Sequence, residues 1–333
     1  MMKNILSIQN RISPEDFTPL GESYFKEESL ETEEIGYWKA SWQRLRANKI
    51  AMVALVIIIF LALFAFVGPL LSPYSYDQQI RGDEALWPCL KHPFGTDRLG
   101  RDILVRCMVG ARISMIVGLV SAVIVMIVGS IYGAIAGLVG GKVDIVMMRI
   151  VDIIYSVPEI LLIVVIKMVI SDPLETLINN VPLFHGLQKI GSGLIAIFIV
   201  YGCLYWVGMA RIVRGQILQL KNLEYVTAAE ALGCNRPRLI REHLLPNCIG
   251  QLVATVMLQI PSAIFTEAFL SYLGIGVSAP MASLGSLTSE ALNGITSYPY
   301  RVVFPALLIS LIILSFNLFG DGLRDALDPK MKK

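Results

Sequence analysis

Apolar residues in this chain come in long, unbroken runs separated by polar, charge-bearing stretches. Neither an amphipathic surface helix nor an alternating strand produces that pattern. Six runs approach the ~20 residues that a helix needs to cross a bilayer: 50–71, 113–139, 145–170, 193–213, 249–270 and 302–319. They predict six transmembrane helices and an all-α polytopic membrane protein. The polar stretches divide what remains. Residues 1–37 form an acidic tail with Glu22, Glu27, Glu28, Glu31, Glu33 and Glu34, and lack the apolar core of a signal peptide. A run of this kind is a solvated face, with a docking role as the alternative. Residues 38–49 read as an interfacial segment in which Trp38 and Trp42 stand beside Arg44, Arg46 and Lys49. The six-span domain then covers 50–320, interrupted by a polar insertion at 221–246, and 321–333 form a polar C-terminal tail.

The insertion carries its own helical punctuation. Glu224 to Leu232 is rich in good helix formers, and Gly233 supplies the left-handed residue that commonly ends a helix. A second helix begins at Asn235 as N-cap with Pro237 in its first turn, and Pro246 either stops it or opens the next. The result is a helix-turn-helix handle tied to the membrane at both ends.

Composition agrees with the spans. The 333 residues are 55% hydrophobic and 16% charged, with a mean hydropathy of +0.65, which excludes an ordinary soluble domain. The net charge of +2 says little about partners. Basic residues near the spans are more informative. Lys39, Arg44, Arg46 and Lys49, the insertion's Arg211, Arg214, Lys221, Arg236, Arg238 and Arg241, and the terminal Arg324, Lys330, Lys332 and Lys333 fall on one side of a six-span chain. The positive-inside rule makes that side, and both termini, cytoplasmic. The first external connection argues back with Arg81, Lys91, Arg98, Arg101, Arg106 and Arg112, but exporting it leaves the other three clusters inside.

Candidate chemistry is sparse. Cys89, Cys107, Cys203, Cys234 and Cys248 lack metal-ligand spacing, a Cys89–Cys107 disulfide is open, and His92, His185 and His243 lie in separate loops, so no metal site and no catalytic residue is expected. Gly140-Gly-Lys142 resembles the end of a phosphate loop, yet Val143 replaces the Ser or Thr and the segment joins two spans. Any ATP is therefore bound elsewhere. Gly129, Gly133 and Gly137 place a flat stripe on one helical face, suited to close helix packing or, alternatively, to substrate contact. Among charges in the spans, Arg149 and Asp152 can pair at i, i+3, Pro158 breaks the backbone ladder before Glu159, and Lys167 can snorkel from the far end of its span. Glu159 and Glu267 are candidates for a polar translocation path, with structural hydrogen bonding as the alternative. The loops 93–102 and 274–300 are turn-rich docking surfaces or simple caps.

Several of these segments resemble one family. Ala228, Ala229, Gly233, Leu245 and Pro246 look like the EAA loop of bacterial ABC-importer permeases. The run from Phe94 to Asp102, Tyr132-Gly-Ala with Gly140 to Asp144, the run from Ala210 to Gln216 and the ending from Gly320 to Pro329 are similar to the oligopeptide/dipeptide/nickel permeases of the C type. Thr227 stands where that loop usually has Glu, with Glu224 and Glu230 one turn away. The resemblance implies a type I ABC-importer permease fold in a bacterial plasma membrane, with Glu224, Thr227, Ala228, Ala229, Gly233 and Pro246 forming the contact to an ATPase. It also implies a paralogous permease as heterodimer partner, two ABC ATPase subunits that hold ATP and Mg, an external peptide-binding protein, membrane lipid around the chain, and no cofactor of its own. Cargo is expected to be oligopeptide, with dipeptides or nickel chelates as alternatives. A proton-coupled secondary transporter has only Asp152, Glu159 and Glu267 to work with and no inverted repeat. A DNA-reading role for Arg236, Arg238 and Arg241 would need freedom that a doubly tethered loop lacks, so no nucleic-acid partner is expected.

Overall fold

The computed structural model describes residues 36–181, 191–277 and 281–327. Most of the acidic tail, His185 and residues 328–333 lie outside them, and so do the expectations placed there. Contacts divide the chain into two units, Met1–Gln43 and Arg44–Lys333. In the first, helix α1 (Tyr37–Ala47) begins, with Trp38 and Trp42 exposed and the Ser41 hydroxyl donating to the Tyr37 carbonyl.

The second unit holds α2 (Lys49–Phe66), α3 (Ile103–Val139), α4 (Gly141–Ser156), α5 (Glu159–Asn180) and α6 (Ser192–Leu204). It continues with α7 (Trp206–Leu220), α8 (Glu224–Ala231), α9 (Leu245–Tyr272), α10 (Leu284–Leu292) and α11 (Tyr300–Leu327). Among the described residues the only pairing of strand type is an isolated bridge between Thr96 and Asp102. Among the described residues, five helical segments are long and apolar enough to cross a membrane: α2, α3, the α6–α7 stretch, Arg236–Tyr272 and α11. A sixth crossing exists only if α4 and α5, bent by 91°, count as one.

That bend interrupts the span expected over 145–170. Pro158 has no N–H to give the helix and forces the residue before it out of the helical region. Val157 is accordingly extended, at φ −91° and ψ 137°, and α5 starts afresh at Glu159. Two other bounds differ from the hydropathy reading. α3 starts ten residues before 113, because Asp102 caps it by accepting from the Val105 N–H at 2.9 Å and because Arg106 finds partners in a polar cap. α11 continues into the expected tail as far as Leu327.

α3 is the central element. At 1.5 Å per residue its 37 residues span about 55 Å, well beyond the ~30 Å hydrocarbon core. Its glycine stripe faces α7. A Cβ on Gly129 would stand 2.6 Å from the Met209 Cβ, one on Gly133 would strike the Ala210 carbonyl, and one on Gly137 would lie 2.9 Å from the Ile217 Cβ. The two backbones therefore approach as closely as side chains allow, which favours dispersion contact where lipid offers no hydrophobic gain. On another face Gly118 receives Ile260 and Ile264 of α9. At one end, polar bonds tie α7 to both α4 and α3. The Arg214 guanidinium donates twice to Asp144, Nε to Oδ1 at 2.5 Å and Nη2 to Oδ2 at 2.6 Å, and Lys221 Nζ donates to the Gly137 carbonyl at 3.1 Å.

At the other end of α3 sits a polar cap built from 72–102 and 281–300. His92 is fully buried, with Nδ1 2.7 Å from Asp102 Oδ2 and its ring 4.9 Å from that of Tyr74. Tyr300 donates its hydroxyl to the Leu86 carbonyl at 2.6 Å, and Phe94 stacks on Phe304 at 4.0 Å. Cys89 is exposed, Cys107 is buried and both are free thiols, so the disulfide left open by the sequence is not formed.

Candidate functional site

Two features at different levels of the bundle carry functional geometry. The first is the insertion. α8 begins after Leu223 and ends in a Schellman motif: the Cys234 N–H reaches the Ala229 carbonyl at 3.0 Å, and the Gly233 N–H reaches that of Glu230 at 2.9 Å. Gly233 has φ +85°, a value that favours glycine. Asn235 accepts from the Arg238 N–H at 3.0 Å and starts a short turn. Leu239–Leu244 then winds as a π-helix, and Pro246 sits in the first turn of α9, where its missing N–H is harmless.

The inner face of this handle is anchored. Val226, Leu239 and Leu244 are fully buried in the same core cluster as Ile217 and Cys248. The outer face is bare. Glu224, Tyr225, Thr227, Ala228, Gly233 and Pro246 are exposed, and Leu232 is 89% exposed at the tip. Ala229 departs from the expected pairing with Ala228: it is half-buried and packs against the cluster that contains Val226. Ala228 alone of the two leaves its face open. Thr227 is exposed, its hydroxyl 3.5 Å from the Leu223 carbonyl.

The second feature is a cavity of about 950 Å³ at the α4–α5 break. Irregular backbone survives at membrane depth only where it is buried in protein or lines a cavity, and the Ser156–Glu159 segment lines this one. The facing wall comes from Tyr205, at the α6–α7 junction, and from Gln259, Pro261, Ser262 and Thr266 of α9, with Asn317 of α11. The Tyr205 hydroxyl and Thr266 Oγ1 lie 2.9 Å apart. Phe265 and Phe269 complete an apolar side. Hydroxyl and amide groups with a single carboxylate, Glu159, suit a polar, flexible solute better than a metal or a compact anion.

The two acids nominated for the path separate here. Glu159 lines the cavity, whereas Glu267 does not. Glu267 is 0% exposed and accepts from the Ser114 hydroxyl at 2.9 Å and the Ser271 hydroxyl at 2.7 Å, with Ser283 donating to Ser271 behind it at 3.1 Å. It clamps α3 to α9 and to the segment before α10. Asp152 takes Arg211 of α7 at 2.8 Å in place of Arg149, because helices pack side by side and a partner across the interface is as near as one along the turn. Lys167 does not snorkel. It is 3% exposed and donates to the Gly276 carbonyl at 2.6 Å. The sequence reading missed Tyr205, Thr266 and Asn317, uncharged groups in apolar helices that carry no spacing signal.

With this arrangement, residues 129–333 match the family described as binding-protein-dependent transport system inner membrane component. The chain belongs to that family. Residues 36–93 of this permease also match the N-terminal transmembrane domain of oligopeptide transport permease C. The permease is 43% identical to the oligopeptide transport system permease protein OppC of Bacillus subtilis (strain 168), over 95% of this chain and 97% of the relative. It is 42% identical to the dipeptide transport system permease protein DppC of the same organism, over 97% and 95%. Against the oligopeptide permease OppC of Escherichia coli (strain K12) the figures are 39%, 91% and 94%. The matches run almost end to end, so they cover the handle, the cavity and the polar cap alike.

Proposed function

We propose that this permease forms one half of the translocation pore of an ATP-driven peptide importer, with oligopeptides as cargo. The observation that carries the reading is the handle: an anchored inner face and a bare outer face ending in the exposed Leu232. A surface of that form, set on helix ends, is built to be pushed by a soluble partner. The partners are two ATPase subunits that hold ATP and Mg, a paralogous permease that closes the other side of the 950 Å³ cavity, and an external peptide-binding protein that delivers cargo to the polar cap. The chain performs no chemical step. Both termini and the handle lie in the cytoplasm, a reading that the basic clusters support.

The geometry supports a route for the coupling. ATPase closure moves Glu224–Pro246, the π-helical turn and α9 transmit the push, and the cavity lined by α9, α5 and the α6–α7 junction changes its opening between two states. Dipeptide cargo is the second reading, favoured by the near-equal identity to DppC. Disruption of the gene should abolish uptake of a radiolabelled oligopeptide, and re-expression of the intact chain should restore it. Undiminished uptake of both oligopeptides and dipeptides in the disrupted strain would sink the proposal.

A further inference from the structure

A second cavity, of about 360 Å³, opens in the polar cap at the end of the bundle away from the handle. Its mouth is formed by the exposed Arg98, Leu99 and Asn293, and its wall by Arg101, Arg106 and Arg301. Four guanidinium groups thus meet two carboxylates, Asp97 and Glu290. The acids are already engaged. Asp97 Oδ2 accepts from Arg101 Nε at 2.6 Å and Arg106 Nη1 at 2.7 Å, and its Oδ1 accepts from the N–H groups of Leu99 and Arg101. Glu290 is contacted by Arg101 Nη2 at 3.3 Å and Arg106 Nη1 at 3.0 Å. Arg98 donates to the Asn293 carbonyl at 2.5 Å.

Arg301 is left over. It is 5% exposed, yet among the described residues its Nε and Nη2 are buried without a hydrogen-bond partner, and so is Nε of Arg106. The guanidinium stacks on Tyr298, with Cζ 4.2 Å from the ring centroid, and lies 5.7 Å from that of Tyr300. Stacking satisfies the face of the ion and leaves its buried edge without a hydrogen bond. Nε and Nη2 are the two donors on one edge, the pair that grips a carboxylate side-on through two parallel bonds. Leaving buried charged donors unmade is costly, and a planar oxyanion removes that cost.

We propose that this pocket is a carboxylate-binding site, seated on the Nε–Nη2 edge of Arg301, with Arg98, Leu99 and Asn293 at its mouth. The site is separate from the translocation cavity and does not depend on the transport reading. The carboxylate comes either from the C terminus of a free peptide or from an acidic side chain of a docked protein. Charge alone does not define the ligand, since the edge is bidentate and planar.

The test is thermal stability of the full chain, purified in detergent, during titration with acetate against chloride at equal ionic strength. Acetate should raise Tm saturably and chloride should not. Arg301→Lys keeps the charge but loses the fork, and should weaken the apparent acetate affinity about tenfold. Asn293→Asp places a carboxylate at the mouth and should raise Tm while removing the acetate response. Glycylglycine binding more tightly than acetate, with glycylglycinamide inert, assigns the carboxylate to a free peptide. Equal responses to glycylglycine and acetate assign it to a protein side chain. Equal responses to acetate and chloride, or an acetate affinity unchanged in Arg301→Lys, overturn the proposal. If Arg301→Lys fails to accumulate, a full acetate response in Asn293→Asp overturns it as well.

Discussion

Leu232→Ala isolates the handle's contact with its partner. The side chain is 89% exposed and lies past the end of α8, so its loss removes almost nothing from the fold of this chain. Burial of a Leu against a partner stabilises by ~1.5–3 kcal/mol relative to exposure. Truncation to Ala removes most of that, ~2 kcal/mol, which corresponds to about 30-fold weaker association. The assay is a binding titration of the purified ATPase subunits against the detergent-solubilised permease pair, with Tm recorded on the same samples. The expected outcome is a large loss of affinity at constant Tm. Unchanged affinity would refute the assignment of this face to the ATPase contact, and a fall in Tm would refute the claim that Leu232 is free of internal packing.

Three further outcomes are expected. Gly133→Leu must push α7 away from α3 and should destabilise by at least ~1–3 kcal/mol, seen as a lower Tm, whereas Gly215→Ala, whose added Cβ meets nothing within 4 Å, should not. In the polar cap, the hydrogen bond from the Lys91 ammonium holds the Asp83 carboxyl below its usual range and the Lys91 ammonium above its own. The Asp83 contribution is therefore present above its unfolded value of ~3.9 and lost as pH falls through the lower folded value; that of Lys91 is present below ~10.4 and lost as pH rises through the higher one. Asp83→Asn should accordingly flatten the acid limb of the Tm–pH profile, and an unchanged limb would contradict the pairing. Glu159→Gln should reduce peptide uptake severalfold while leaving the amount of assembled importer constant; full uptake would remove Glu159 from the path.

Much of this architecture is legible in the residue pattern, because bilayer crossing imposes a length and an apolarity that hydropathy reads directly. The handle is legible for a related reason: caps and left-handed residues such as Asn235 and Gly233 are local. What escapes is set between helices. Asp152 chooses Arg211 from a neighbouring helix over Arg149 on its own, and Glu267 finds Ser114 of α3 as well as Ser271 on its own helix, where the sequence offers only an isolated acid. Pro158 announces a break but not its 91° angle, which depends on what packs on either side. Ala228 and Ala229 are equivalent in composition and differ only in which side of α8 meets Val226 and its cluster. The cavity is hidden for the same reason, since Tyr205, Thr266 and Asn317 are unremarkable until three helices bring them together.

The central claim is that the handle transmits ATP-driven work to the cavity. It is tested most directly by peptide accumulation in proteoliposomes that contain this chain, its partner permease and ATPases, with the external binding protein and labelled oligopeptide outside. The account predicts ATP-dependent accumulation that falls in step with ATPase affinity in Leu232→Ala. Accumulation that needs no ATP, or that proceeds at full rate after the handle's contact is weakened, would contradict it.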